Sequence, residues 1–461
     1  MRKTNRGDLV NILKKLQRSN GVRVGVCLAA CLLGSRVARA EVKLVEKDGW
    51  TFTFDGRVNA FLSGGFGDDL PNSPGMAPDG SSYNVMGSPA TVDSIPDVGW
   101  HVNFGQKDVN GKFTNIRVRS GMYGNILGFG IARKISDTTS VRGYISIWST
   151  VESLGEDKWA PINPVAREGY LAVNGPWGTA YVGRMLGWIG RMSYDIDSAY
   201  GHGFGVGLPC TDALGPACGH TGAGAIFPGY SAGMMYATPS LGGLKLNVGI
   251  YDPVIFSANS DDWSRASLPR VEGAVTFDRP IGETARVKFG VEGMYQQVSR
   301  TDTTTMADVN GSVSSVSGGL RIEAGPLRLG VSGFTGKGLG LYYALQKTSA
   351  TEDQTHKFRT FTGFYGQGGL EFGRVLLTGG FGMSLVAQTA DDKMNTMLSV
   401  IRYHRGISAG VYFHATDSIV IGLDYFNFAA GWWGAPLATG GHIAGEQQLI
   451  NFVNGGVTYY W

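Results

Sequence analysis

The composition of the chain excludes several classes of protein. Of 461 residues, 71 are Gly and 17 are Pro, while 17 % are charged and 11 % are aromatic. Low charge with abundant aromatic residues fits poorly with a disordered chain, and no apolar run reaches the 18 or more residues of a membrane-spanning helix. A structure of many short strands is left after these exclusions, so the composition predicts an all-β fold.

The first forty residues are predicted to be an export signal. They combine a long basic region, a short apolar core from Val24 to Gly34 and the small-x-small sequence Ala38-Arg39-Ala40 before Glu41. Residues 1–40 hold nine Lys or Arg and one Asp, so their removal leaves 31 basic and 36 acidic residues and changes the net charge from +3 to about −5. The basic balance therefore belongs to the leader, and nothing indicates a nucleic-acid partner.

From Trp50 the chain reads WTFTFDGRVNAFLSGG, in which apolar and polar residues take alternate positions. This period of two over a dozen residues predicts a strand with one apolar and one polar face. The apolar phase holds Phe52, Phe54, Val58, Ala60 and Leu62, and the polar phase holds Thr51, Thr53, Asp55, Arg57 and Asn59.

Similar segments follow in pairs as far as the terminal residue, Trp461. Their number is about sixteen, an even count within the range of single-chain outer-membrane barrels. Between residues 114 and 135 the alternation slips, which predicts a bulge or an extra hairpin. Short turns alternate with long connections, as in a barrel with turns at one end and loops at the other. The long connections are predicted at 64–112, 153–165, 187–229, 256–269, 300–312, 336–357, 388–397 and 430–446.

Hydrogen bonding requires such a set of strands to close. In hydrocarbon an unpaired backbone N–H or C=O is costly, so a lipid-exposed sheet edge is not tolerated. The sequence therefore predicts that residues 41–461 form a transmembrane antiparallel β-barrel, surrounded by outer-membrane lipid, in which the last strand pairs with the first. Val457, Tyr459 and Trp461 share one phase, which predicts an aromatic girdle at the membrane surface.

The Gly-rich connection at about 187–229 carries acids and a pair of cysteines. Asp195, Asp197 and Asp212 are candidates for charges that face the lumen, although each could equally be a turn or cap residue. Cys210 and Cys218 favour a disulfide over a metal site, because no His or Cys lies at CxxC-type spacing. A structural bridge is favoured over a redox switch, since nothing nearby is arranged to activate a thiolate.

The chain resembles the Gram-negative general porins, a family of trimeric barrels of about sixteen strands with an inward-folded third loop. The resemblance lies in the first strand FDGRVNAF, in residues 166–184 (AREGYLAVNGPWGTAYVGR) and in the aromatic C-terminus. It covers most of residues 50–461, but only 166–184 is specific, and a terminal Trp replaces the usual Phe. It implies a homotrimer in the outer membrane of a Gram-negative bacterium, with the loop at about 187–229 folded into the lumen.

The same resemblance implies passive diffusion of small hydrophilic solutes and ions through each monomer. In general porins a basic cluster on the wall faces acids on the third loop, and here those acids would be Asp195, Asp197 and Asp212. Each predicted wall arginine could instead be a merely solvated lumen side chain, because every barrel interior is polar. The predicted wall arginines are Arg57, Arg117, Arg119, Arg142 and Arg167. Arg57, one of Arg117 and Arg119, and Arg167 match wall positions of the family.

Two other functions remain open on the sequence alone. One is a barrel that selects sugars or organic anions, which the loop aromatics indicate. The other is a structural or adhesive barrel whose interior is plugged by the third loop. Catalysis is not predicted: Ser408 and His414 lie on one face of one strand, about 20 Å apart at ~3.3 Å per residue. No metal or cofactor is predicted, because His202, His220 and His442 lie in loops at no ligand spacing.

Overall fold

The computed structural model describes residues 41–68, 113–151, 164–209, 217–254, 263–341, 344–345, 351–353, 355–394, 401–433 and 447–461. No helix within these ranges is long and apolar enough to cross a membrane. The strands are β1 (Val42–Lys47), β2 (Trp50–Gly67), β3 (Phe113–Arg119), β4 (Asn125–Lys134), β5 (Ser140–Ser149), β6 (Val165–Gly175), β7 (Gly178–Leu186), β8 (Leu208–Pro209), β9 (Ala217–Gly219), β10 (Tyr230–Ala237), β11 (Leu244–Tyr251), β12 (Arg270–Ile281), β13 (Ala285–Asp302), β14 (Ala307–Ala324), β15 (Leu327–Lys337), β16 (Thr360–Phe372), β17 (Val375–Ala387), β18 (Ile401–His414), β19 (Ile419–Trp432) and β20 (Gln447–Tyr460).

Eighteen of these strands form one antiparallel sheet that closes on itself, because β20 pairs with β2. β3 and β4 pair with the same edge of β2, so they are one strand that is broken at residues 120–124. β1 continues the line of β20 beside the beginning of β2. The barrel therefore has sixteen strand positions, which confirms the predicted fold. The slip predicted between 114 and 135 is a break in one strand, without an extra hairpin.

The two phases of each strand face different surroundings. On β2, Val58 and Leu62 are 49 % and 58 % exposed on the outside of the barrel, whereas Asn59 and Ser63 are buried inside it. An apolar exterior is the surface that lipid requires, and a polar interior is the surface that a water-filled lumen requires. The alternation read from the sequence is therefore the alternation between lipid and lumen.

The C-terminal aromatic residues lie where β20 meets β2. The backbone of Trp461 donates a hydrogen bond to the Gly56 carbonyl oxygen (3.3 Å), and its ring stacks on Phe54 at 5.6 Å and lies 5.7 Å from the ring of Tyr459. A Cβ at Gly56 would lie 2.6 Å from the Trp461 ring, so this close approach requires glycine. These rings form an outward-facing aromatic cluster at the end of the barrel.

One connection differs from the prediction. The sequence predicts a long connection at 300–312, but β13 continues to Asp302 and β14 begins at Ala307, which leaves only a turn at 303–306. The Asp302 carboxylate closes this turn by accepting the backbone N–H groups of Thr304 and Thr305, each at 2.9 Å. Strand ends that extend beyond the lipid carry polar side chains on both faces, so the apolar phase that marks a strand is missing there.

Candidate functional site

The connection from β7 to β10, residues 187–229, folds into the barrel, as the resemblance to the general porins implies. We call it loop 3. Its described parts, 187–209 and 217–229, contain a short helix at Arg191–Asp195, a 3-10 turn at Tyr200–His202 and the small β8–β9 pair. Almost all of these residues are buried. A loop with so many backbone polar groups inside a barrel needs partners for them.

Carboxylates on the barrel wall supply those partners. Glu272 on β12 accepts the N–H of Trp188, and Glu292 on β13 accepts those of Gly190 and Met192 at 2.8 and 2.9 Å. On the far side of the barrel, Asp424 on β19 accepts the N–H groups of Val206 and Gly207 at 3.2 and 3.1 Å. These bonds satisfy backbone N–H groups that would otherwise be buried without partners. Wall acids therefore hold loop 3 at two places, residues 188–192 and residues 206–207.

Asp197 is a second kind of anchor, which lies on the loop itself. Its carboxylate accepts hydrogen bonds from the N–H of Ala199 (2.8 Å), from the hydroxyl of Tyr365 on β16 (3.0 Å) and from the amide of Gln367 (3.2 Å). Burial raises the pKa of Asp197, although these donors oppose the rise. Asp197 is thus enclosed between the loop and the wall, whereas Asp195, the other predicted loop acid among the described residues, pairs with Lys288.

The middle of loop 3 is attached through His220. Its Nε2 lies 2.7 Å from the hydroxyl oxygen of Ser408 on β18, and its ring lies 4.3 Å from the ring of Tyr365. Burial lowers the pKa of His220 to about 3, so the ring is neutral at physiological pH. Close by, the N–H of Gly224 donates to the hydroxyl of Ser384 on β17 at 2.9 Å.

Charged groups meet where loop 3 turns at its 3-10 helix. Asp195 forms an ion pair with Lys288 on β13 (2.7 Å), and Arg321 on β14 donates to the Asp195 carbonyl oxygen (2.9 Å). Arg321 also lies 3.2 Å from Nε2 of His202. The carbonyl oxygen of His202 lies 3.5 Å from Nη1 of Arg57, on β2. Loop 3 thus connects basic side chains that come from well-separated strands.

His202 is neutral in this surrounding. Burial lowers its pKa well below the usual value, and the positive charges of Arg321, Lys288 and Arg57 lower it further. Arg321 is also paired with Glu323 at 2.8 Å. Arg57 lies over the rings of Tyr123 (5.1 Å) and Tyr460 (5.3 Å). The loop tip, which we define as Asp195, His202, Arg57, Lys288 and Arg321, therefore contains three cations and one carboxylate.

The other predicted wall arginines lie on β3, β5 and β6. Arg142 on β5 forms an ion pair with Glu41, and Arg167 on β6 lies over the ring of Trp148 at 4.6 Å. Arg119, at the end of β3, is buried, and Arg117 is half-buried on the same strand.

Part of the predicted site lies outside the described residues, namely Asp212 and Cys210. Cys218 is disulfide-bonded, and its pairing with Cys210 stays a prediction. Within the described ranges, no group of three His, Cys, Asp or Glu side chains is arranged to hold a metal ion.

Sequence reasoning missed Lys288, Arg321 and His202 at the loop tip, as well as the wall acids that anchor the loop. The available signal was that Lys288, Glu272 and Glu292 share the polar phase of their strands. Phase assigns a side chain to the lumen, but it does not say at which height along the barrel that side chain meets loop 3.

A comparison with protein families identifies the chain. The model of the family described as Gram-negative porin matches residues 27–432. The chain belongs to the Gram-negative porin family. Members of this family are channels, and the porin described here is an outer-membrane channel for passive diffusion.

Solved structures share the fold of this porin at low sequence identity. The outer membrane channel DcaP of Acinetobacter baumannii has a TM-score of 0.57 and 13 % identity, and the match covers 90 % of this chain and 99 % of that chain. An anion-selective porin from Comamonas acidovorans has a TM-score of 0.52 and 14 % identity, with 89 % and 100 % covered. At these identities the likeness concerns the fold alone. A comparison with curated protein sequences gave no match.

Proposed function

We propose that this porin admits small hydrophilic solutes with a preference for anions, and that the loop tip is its selective constriction. The observation that carries the proposal is the position of Arg57. Its guanidinium lies between two aromatic rings beside the His202 carbonyl, whereas Lys288 and Arg321 are each paired with a carboxylate. In a narrow lumen with low-dielectric walls, an excess positive charge concentrates anions and repels cations.

The overall charge of the chain would predict the opposite preference. Without residues 1–40 the chain has 31 basic and 36 acidic residues, so its net charge is about −5. Acids such as Asp424 and Glu292 are buried against loop 3, whose backbone N–H groups bind them and cover them from the lumen. Selectivity would then follow the charges at the constriction, which are positive, and not the charge of the whole molecule.

The reversal potential of the channel in a KCl gradient tests this proposal. We expect the wild-type potential to lie toward that of chloride, Arg57→Gln to move it toward that of potassium, and Arg57→Lys to keep most of the wild-type value. The matched control is Lys134→Gln, which removes an equal charge at the exposed end of β4. An Arg57→Gln potential equal to that of wild type would contradict the assignment of Arg57.

We propose further that the protein is not an enzyme. The His220–Ser408 contact is the kind of pair that a hydrolase would use. Both residues are buried, however, where loop 3 meets the barrel wall, and Nδ1 of His220 lies 3.3 Å from the Ala223 carbonyl oxygen, where a catalytic triad would have a carboxylate. This arrangement supports an anchoring role for the pair. The protein in detergent should hydrolyse neither phospholipid nor short-chain esters.

We propose that residues 1–40 are removed on export. Their basic region, short apolar core and Ala38-Arg39-Ala40 sequence support this. N-terminal sequencing of the protein recovered from outer membranes should begin at Glu41. A mature chain that begins upstream of residue 24 would contradict the proposal.

We propose that the barrel assembles as a homotrimer, supported by polar side chains on its exterior. Arg405 on β18 donates to Asn427 on β19 (3.1 Å), and Asn427 donates to Asn451 on β20 (2.9 Å). All three lie in the outward phase, which their neighbours Ile407, Leu423 and Val453 mark by exposure. A charge on the lipid face of a barrel costs up to about 2–4 kcal/mol, depending on depth. A contact with another copy would remove it from lipid.

Gel electrophoresis of samples incubated beforehand at increasing temperatures tests this interface. Arg405→Leu should lower the temperature at which the oligomer band dissociates, whereas Ile407→Leu, an apolar exchange on the same face, should leave it unchanged. If Arg405→Leu raised that temperature or left it unaltered, Arg405 would face lipid and the proposed interface would be wrong.

A further inference from the structure

A continuous strip of arginines and aromatic rings lines the lumen beside the loop tip. Arg57 lies over Tyr123, the ring of Tyr123 meets that of Trp148 edge-on at 5.8 Å, and Arg167 lies over Trp148 at 4.6 Å. Trp148 meets the ring of Tyr230 edge-on, also at 5.8 Å. We call these five residues the arginine–aromatic strip. A polar porin lumen requires no such succession of rings.

A β-bulge directs Arg167 into this strip. Ser146 on β5 pairs with Glu168, and the next residue, Ile147, pairs with Ala166, so Arg167 is the extra residue of the bulge. In regular alternation Glu168 and Tyr170 face the lumen, and Arg167 would point outward. Bulges often redirect a side chain where a site requires it. The bulge is therefore an observation that is independent of the ring contacts.

The strip is accessible from the lumen. Arg57, Tyr123, Arg167 and Tyr230 are half-buried, and only Trp148 is largely covered. Loop 3 contacts the strip directly, because Nη1 of Arg57 lies 3.5 Å from the His202 carbonyl oxygen and the ring of Tyr230 lies 5.8 Å from that of Phe227. The strip and the loop thus border the same part of the lumen.

We propose that the strip binds planar aromatic carboxylates during their passage. This proposal rests on the anion preference proposed above and names the solute class. A guanidinium that is stacked on a ring still presents its N–H edge to a carboxylate. The aromatic ring of the solute meets the half-buried rings of Tyr123 and Tyr230, at the centroid distances of 4.5–7 Å that aromatic pairs favour. A carboxylate bound at Arg167 would pass to Arg57 along the intervening rings.

Two probes of equal charge separate ring recognition from charge. Benzoate and cyclohexanecarboxylate both carry one carboxylate on a six-membered ring, but only benzoate is planar and aromatic. The full-length mature protein in a planar bilayer would be titrated with each probe, and the concentration that halves the KCl current would be measured. We expect the half-blocking concentration of benzoate to be about three- to tenfold lower.

Variants assign the effect to the strip. Trp148→Leu should raise the half-blocking concentration of benzoate by about three- to tenfold, and Trp148→Phe should recover part of the loss. Trp177→Leu is the matched control, since Trp177 lies at the exposed β6–β7 turn and should leave benzoate block unchanged. Tyr230→Leu provides a second test at a half-buried position should Trp148→Leu fail to fold.

The outcomes separate this inference from the proposed function. Equal block by the two probes, or benzoate block that neither Trp148→Leu nor Tyr230→Leu weakens, would overturn the strip even in an anion-selective channel. If the reversal potential showed no anion preference while benzoate still blocked selectively, binding at the strip would be supported. The assignment of the loop tip as the selective constriction would then be contradicted.

Discussion

Two neutral histidines inside the barrel link the position of loop 3 to pH. The pKa of His220 falls to about 3 on burial, and that of His202 falls well below its usual value. A histidine that detaches from the wall regains its ordinary pKa of about 6.5 and binds a proton at lower pH. Docking of loop 3 is therefore at full strength above about pH 6.5 and weakens as the pH falls toward about 3. The raised pKa of Asp197 acts in the opposite direction.

Replacement of His220 by Gln isolates its share of this effect. In the wild type, docking near His220 should lose about 2 kcal/mol between pH 7 and pH 5, which is a roughly thirtyfold faster amide exchange. Hydrogen exchange of residues 217–227, corrected for the intrinsic pH dependence, measures the loss. The His220→Gln variant should show a clearly flatter dependence. The same dependence in both proteins would show that His220 does not carry the effect.

At the scale of residues, the sequence predicts the lumen face correctly but not the partners within it. Arg57 could be proposed because it matches a wall position of the general porins, and Asp195 because it is one of the acids in the loop that faces that wall. Lys288 could be assigned to the lumen by phase, but its pairing with Asp195 depends on a loop course that no local pattern encodes. Asp197 has the same charge and a similar sequence context as Asp195, and only the three-dimensional fold separates the anchor from the group that faces Lys288.

At the scale of elements, loop 3 depends on glycines in the wall that let it approach. A Cβ at Gly382 on β17 would overlap the carbonyl oxygen of Ala223, and a Cβ at Gly330 on β15 would lie 2.7 Å from that of Ile196. Backbone atoms cannot move aside as a flexible side chain can. These two glycines therefore determine how close loop 3 lies to the wall, and thereby how much of the lumen stays open.

Substitution of Gly382 by Ala should displace loop 3. The matched control is Gly379→Ala on the same strand, where the nearest atom would be the Ser408 carbonyl oxygen at an ordinary 3.8 Å. We expect Gly382→Ala to weaken docking of residues 220–226 by about 1–3 kcal/mol, the range for overpacking, and to change the single-channel conductance. Gly379→Ala should alter neither. Unchanged exchange and conductance in Gly382→Ala would contradict the close approach.

Strands were the most predictable elements. Lipid on one side and water on the other impose the alternation, so β2, β12 and β13 could be recognised by phase. The signal failed where lipid is absent, at the outer end of the β13–β14 hairpin, and where β3 and β4 break around Tyr123. At the break the Asn59 side chain donates to the carbonyl oxygens of Tyr123 and Gly124 and accepts the N–H of Gly121, long-range contacts that the local sequence does not reveal.

At the scale of the whole molecule, closure of the sheet and anchoring of the loop together produce a lumen. The pairing of β20 with β2 leaves no open edge in lipid, and the wall acids satisfy the loop backbone inside. The net charge of the chain, by contrast, says little about solute preference, because the charges that a solute meets are those at the loop tip.

Planar-bilayer recording of the wild-type protein in a KCl gradient tests the central claim, that this is a water-filled channel whose loop tip favours anions. We expect stepwise conductance increments of uniform size and a reversal potential on the chloride side of zero. The absence of steps from correctly folded protein, or a reversal potential on the potassium side, would contradict it.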